Sequence, residues 1–187
     1  MTGESHHMNS ALAGKIQEET GIEVNHCYQC GKCSAGCPVV SEMDITSSAV
    51  MRLLQYAEDE TDQELLQSES IWLCLSCEMC ISRCPMQIDI PKVMDFLRQE
   101  SIRKNAGNKK SRNIVRFHRA FMDMVKTTGR SYEIGLMVDY KLRSGTLLQD
   151  MALAPKMLAK GKLPILPEQI KNKKEVKRLF KNIKDKE

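Results

Sequence analysis

Two stretches, CYQCGKCSAGCP over residues 27–38 and CLSCEMCISRCP over residues 74–85, hold all eight cysteines of a 187-residue chain. Both read CxxCxxCxxxCP, and each cysteine of the second run lies 47 residues after its counterpart, as Cys74 does after Cys27. No other feature constrains the fold as strongly, because whatever binds these thiols fixes the course of the backbone around them. Three chemistries compete. A disulfide framework needs an oxidising compartment, and the polar opening MTGESHHMNS lacks the basic-then-apolar layout of a signal peptide. Structural zinc uses four ligands per ion, usually as paired CxxC units separated by a longer loop, whereas each run here crowds four thiols into eleven residues. Iron–sulfur ligation remains as the third.

The run is similar to the bacterial ferredoxin pattern for holding a cubane [4Fe-4S] cluster. That resemblance implies that three cysteines wrap one cluster while the fourth, followed by proline, ligates the other. One cluster would be held by Cys27, Cys30, Cys33 and Cys84, and the second by Cys74, Cys77, Cys80 and Cys37. Crossed ligation staples the two runs together and couples metal binding to folding. Two adjacent cubanes make a short electron wire, so no catalytic residue is expected in the chain. The runs differ between their cysteines. Gly31 and Gly36 of the first stand where the second has Glu78 and Arg83, and Lys32 adds a positive charge. Backbone N–H groups directed at cluster sulfurs raise a reduction potential, so the cluster on the first loop is expected to be the easier to reduce. The alternative is that both glycines only permit turns.

The scaffold reads as helical. Residues 9–20 suit a helix ended by Gly21. Between the runs, Ala49, Val50, Leu53, Leu54 and Ala57 recur at helical spacing behind Asp44 and Thr46 as caps, and a short helix fits 61–68 with Leu65 and Leu66 inward. Pro91 opens a further helix, with Val93, Met94, Leu97 and Ile102 expected on one face. The spacing then predicts helices over 108–128 (Ile114, Phe117, Phe121, Met124 and Val125 sharing a face, Gly129 closing it), 132–143, 146–160 and 171–184, with GKLPILP before the last.

Two CxxCxxCxxxCP motifs on a helical connector resemble the α-helical ferredoxin family, whose modules serve succinate dehydrogenase, fumarate reductase, glycolate oxidase and heterodisulfide reductase. The match spans about residues 9–105. No cysteine precedes Cys27 and no Cys-Cys-Gly is present, which sets the chain apart from the relatives with [2Fe-2S] or CCG domains. It most resembles the C-subunit family of the soluble heterodisulfide reductases of methanogens. The expected fold class is mainly α: a flexible terminus over 1–8, an α-helical ferredoxin domain over 9–105 with two [4Fe-4S] clusters, and a helical basic extension over 106–187 for subunit docking. The resemblance implies an electron relay from a flavin-bearing A-subunit to a catalytic B-subunit. The CCG-type clusters of that second partner reduce the mixed disulfide of coenzyme M and coenzyme B in methanogenesis. It also implies a larger complex with a hydrogenase or formate dehydrogenase and flavin-based electron bifurcation. The rivals are an independent soluble two-cluster carrier and the same relay in a related sulfur-metabolism reductase.

Charge sorts the remaining partner classes. The chain is acidic between the runs and basic from Arg103 to Arg130 and again from Lys171. Nucleic acid is not expected, since the basic tail has only Phe180 to interleave with its charges. The bases are expected to form a solvated helix face or to dock an acidic partner. Leu136, Met137, Leu147, Leu148, Met151 and Leu153 are expected to meet another subunit. No segment approaches the ~18 apolar residues of a membrane span, and a cytoplasmic protein is the expectation. His26 and His118 are isolated and read as structural.

Overall fold

The computed structural model describes residues 11–56, 58–146, 157, 159–160 and 170–184. The expected flexible terminus, the segment GKLPILP, and Leu147, Leu148, Met151 and Leu153 lie outside them, as does nearly all of the helix expected over 146–160. Helices are the regular structure of the described residues, which contain no strand. The chain divides into two compact units, one ending at Ser111 and one beginning at Arg112.

In the first unit the helices are α1 (Ala11–Thr20), α2 (Lys32–Ala35), α3 (Ser47–Tyr56), α4 (Asp59–Gln67), α5 (Ser70–Leu73), α6 (Met79–Arg83) and α7 (Ile90–Arg103). The core lies where α1, α3, α4 and α5 close on α7. Leu12, Ile16, Val50, Met51, Leu54, Leu65, Ile71, Val93, Met94 and Leu97 have no exposed surface. Each such side chain contributes roughly 1.5–3 kcal/mol relative to exposure. Polar ties fix the register of these helices. The backbone N–H of Leu12 donates to Asp62 Oδ2 at 3.2 Å, joining α1 to α4. The hydroxyl of Ser101 donates to the Leu66 carbonyl at 2.7 Å, joining α7 to α4. Glu100, 3% exposed, meets Lys15 of α1 at 2.9 Å, with Arg103 at 3.5 Å and Lys104 at 3.8 Å from its own helix. These cations hold its carboxyl below the ordinary value against the opposing effect of burial.

Helix ends follow local chemistry. Gly21 adopts φ +74° and donates to the Gln17 carbonyl at 2.9 Å, closing α1. Asp89 caps α7 by accepting from the Lys92 N–H at 3.0 Å, with proline in the first turn. One expectation fails in this helix. Ile102 is 45% exposed while Ser101 is buried. Nine residues at about 100° each place position 102 opposite Val93, so the apolar face passes through Ser101 instead. The capping expectation for α3 also changes. Thr46 supplies its carbonyl to Val50 at 2.9 Å, but the free N–H of Ser48 is capped by the Ser34 hydroxyl of the first cysteine run, at 2.8 Å.

In the second unit, α8 (Lys109–Thr128) and α9 (Glu133–Ser144) are joined at Gly129, which adopts φ +87°. Phe117 meets Tyr140 edge-on at 5.7 Å, and Arg143 bridges Asp123 at 2.7 Å and Asp139 at 2.9 Å. A last helix covers Lys173–Lys184. Ala120 is the one buried apolar residue among those described here, while Phe117, Phe121, Met122, Met137, Val138 and Leu142 are exposed.

Candidate metal centre

The two runs repeat in backbone as well as in sequence. Gln29 and Gly31 have φ of +63° and +73°; their counterparts Ser76 and Glu78 have +49° and +61°. After each left-handed step comes a one-turn helix, α2 or α6, carrying the third cysteine. These two helices pack against each other, which brings the runs together. Gly31 is thus explained by a conformation that glycine adopts without strain, and Glu78 reproduces it at a steric cost.

The first cysteine of each run is anchored from behind through its carbonyl. Gln55 of α3 donates to the carbonyls of Cys27 at 2.7 Å and Val24 at 3.0 Å. Arg98 of α7 donates to the carbonyls of Ile71 and Cys74. A third anchor is Asp44. Its carboxylate accepts from the Ser68 hydroxyl at 2.8 Å, the backbone N–H of Glu69 and of Ser70 at 2.9 Å each, and the Ser70 hydroxyl. It therefore holds the start of α5, the helix that ends in Cys74. Burial pushes the Asp44 carboxyl up, but these donors outweigh it and hold it at about 2. Gln55 and Arg98 do not stand out in sequence and Asp44 reads only as a local cap, since a polar residue on a mixed helix or connector carries no long-range signal.

The cysteines converge on the junction of the runs. One cavity is lined by Cys74, Cys77 and Cys80 together with Cys37 of the first run, with Pro38, Val39, Ile90 and Pro91 as apolar wall. The phenol of Tyr28 is held above its ordinary value, by desolvation first and then by the thiols of Cys30, Cys84 and Cys27. Cys84 of the second run directly follows Arg83, whose side chain lies on Gly36 of the first. The Cys84 sulfur accepts from the Ile88 backbone N–H at 3.4 Å. Burial pushes the Cys33 thiol up, opposed by the hydroxyl and N–H of Ser34. Burial, then the neighbouring Cys74, pushes the Cys80 thiol to about 11. Such thiols ionise when metal replaces the proton. Cys30 and Cys77 are exposed.

This donor set fits [4Fe-4S] clusters. It offers soft thiol ligands only, with an apolar wall around Cys37, Cys74, Cys77 and Cys80 and a backbone N–H donor at the Cys84 sulfur. Among the described residues, no three Cys, His, Asp or Glu side chains converge closely enough to share one metal ion. The glycine expectation is altered, however. The Gly36 N–H is directed at the Ser34 carbonyl, and φ at Gly36 is an ordinary −107°. A Cβ there would lie 2.3–2.5 Å from Nε, Cδ and Cζ of Arg83. The side chain of Arg83, from the other run, occupies the space that a Cβ at position 36 would take.

The all-helical unit brings both cysteine runs together, and its residues 23–88 match the family model described as "4Fe-4S dicluster domain". Over about half of its length the chain is similar to C-subunits of heterodisulfide reductase. It is 30% identical over 102 residues to the iron–sulfur C-subunit of the CoB–CoM heterodisulfide reductase of Methanopyrus kandleri, covering 54% of this chain and 52% of that one. It is 30% identical over 114 residues to the C-subunit numbered 2 of the same reductase from Methanocaldococcus jannaschii, covering 58% and 59%. To the C-subunit of the H(2):CoB-CoM heterodisulfide,ferredoxin reductase of Methanothermobacter marburgensis it is 27% identical over 94 residues, covering 50% and 49%. The chain spans about half the length of the curated relatives it matches. No helix among the described residues is long and apolar enough to cross a membrane.

Proposed function

We propose that this chain is the electron-relay subunit of a heterodisulfide reductase complex. The observation that carries this is the cavity in which Cys37 of the first run joins Cys74, Cys77 and Cys80 of the second. On this reading Cys37 completes the ligand set of one cluster and Cys84, next to the Arg83 that lies on Gly36 of the first run, completes that of Cys27, Cys30 and Cys33. When bound, two [4Fe-4S] clusters supply adjacent one-electron centres. The protein's part is to hold both sets in one rigid junction through Gln55, Arg98 and Asp44, and to leave Cys30 and Cys77 near the surface for exchange with partners.

The partners follow from the resemblance to that reductase. A flavin-bearing subunit would deliver electrons, and a subunit with CCG-type clusters would reduce the disulfide of coenzymes M and B, within a cytoplasmic assembly that includes a hydrogenase or formate dehydrogenase and bifurcates electrons. This chain would carry no substrate site of its own. We place the module over residues 9–105 and a docking extension over 106–187, where the exposed Phe117, Phe121, Met122, Met137, Val138 and Leu142 form a face suited to a partner chain. The test is anaerobic native purification with identification of co-purified chains. Stoichiometric flavin-bearing and CCG-type subunits support the proposal, and a brown monomer would replace it with an independent carrier.

A further inference from the structure

Position 36 of the first run and position 83 of the second are counterparts under the 47-residue repeat. They are also in contact: the side chain of Arg83 lies across Gly36, with Nε, Cδ and Cζ where a Cβ would project. Each position immediately precedes a fourth cysteine, Cys37 or Cys84, so the guanidinium sits where the two runs exchange their last ligands. Among the described residues Arg83 makes no hydrogen bond or ion pair. Arg98, by contrast, is committed to Asp95 and to the carbonyls of Ile71 and Cys74, and Arg143 to Asp123 and Asp139.

We infer that Arg83 is a shared electrostatic tuning residue, an exposed cation that lies on Gly36 beside the fourth cysteine of each run and favours the reduced state of both clusters. The inference rests on the two-cluster reading above. A cubane bound by four thiolates is anionic and becomes more so on reduction, so a nearby positive charge stabilises the reduced form and raises the potential. A guanidinium suits the position because it is always charged and packs flat against backbone. Glycine at 36 is then the steric condition for the cation's placement. The asymmetry between the runs, glycine in one and arginine in the other, serves one common contact.

The test is an anaerobic, EPR-monitored redox titration of the full-length holoprotein, wild type against R83Q and R83K, with iron and sulfide measured on each sample. The expected result is that R83Q keeps its metal content and lowers both midpoints, each reduction equilibrium falling about tenfold, which is about 59 mV for a one-electron couple, while R83K restores most of both shifts. Unchanged midpoints in R83Q overturn the inference, and so does a shift confined to one cluster. If R83Q does not load, R83K alone decides: near-wild-type midpoints sustain the charge argument, and a tenfold fall in both refutes it. A wild-type protein lacking two clusters would instead strike the two-cluster reading itself.

Discussion

Replacing Asp44 by asparagine tests whether the second cysteine run is positioned from the connector. The carboxylate gathers four donors from Ser68, Glu69 and Ser70 and is held at about 2 against an ordinary 3.8. Were the whole shift realised as stability, it would amount to roughly 2.5 kcal/mol at about 1.36 kcal/mol per unit. Asp44 is exposed to solvent, so screening reduces this to about 1 kcal/mol. Because the folded carboxyl is the stronger acid, the stabilisation is complete above about pH 4 and fades as pH falls toward about 2. Anaerobic urea unfolding at about pH 7, followed by far-UV circular dichroism, should show D44N less stable by about 1 kcal/mol with an unchanged denaturant slope. The difference should shrink steadily as the pH is lowered below about 4. Equal midpoints for the two proteins at neutral pH would refute the clamp, as would a difference that grows on acidification.

Three further substitutions probe the frame behind the site and the backbone of the cysteine loops. Glu100→Gln should cost about 2–3 kcal/mol at neutral pH in the same unfolding assay, since it removes a buried charge that Lys15, Arg103 and Lys104 surround; its effect should diminish as pH falls below the ordinary 4.5. Glu78→Gly should stabilise by about 1 kcal/mol by relieving a left-handed backbone, whereas Gly31→Ala should cost about as much. No atom lies within 4 Å of a Cβ at Gly31, so that loss would report backbone strain alone.

What the sequence made legible was local or repetitive. Gly21 and Pro91 end and begin helices as their backbone chemistry requires, and the 47-residue repeat of the cysteines reappears as a repeat of left-handed residues and one-turn helices. What it concealed was contact at long range. Asp44 reads as a helix cap, and it does cap one, but that helix begins at Ser70 rather than Ser47, a pairing no periodicity encodes. Ile102 misleads because an apolar residue near the end of a helix is easily assigned to the wrong face, while Ser101 is buried through a bond to Leu66. Gly36 suggests a hydrogen-bond donor to a sulfur, and only the packing of α2 on α6 reveals Arg83 above it. In the second unit the amphipathic pattern of α8 is plain, yet Phe117 and Phe121 remain exposed, because a stripe in the sequence indicates that a face needs cover without saying which chain supplies it.

The central claim is that each run lends its fourth cysteine to the other, and substitution of Cys37 tests it most directly. C37A, C30A and C77A proteins would be prepared anaerobically and compared by EPR and Mössbauer spectroscopy. Iron content is expected to fall from about eight to about four atoms per chain where one cubane is lost. Crossed ligation predicts that the C37A spectrum matches that of C77A, with the cluster of the second run damaged and that of the first intact. A C37A spectrum that matches C30A would contradict it.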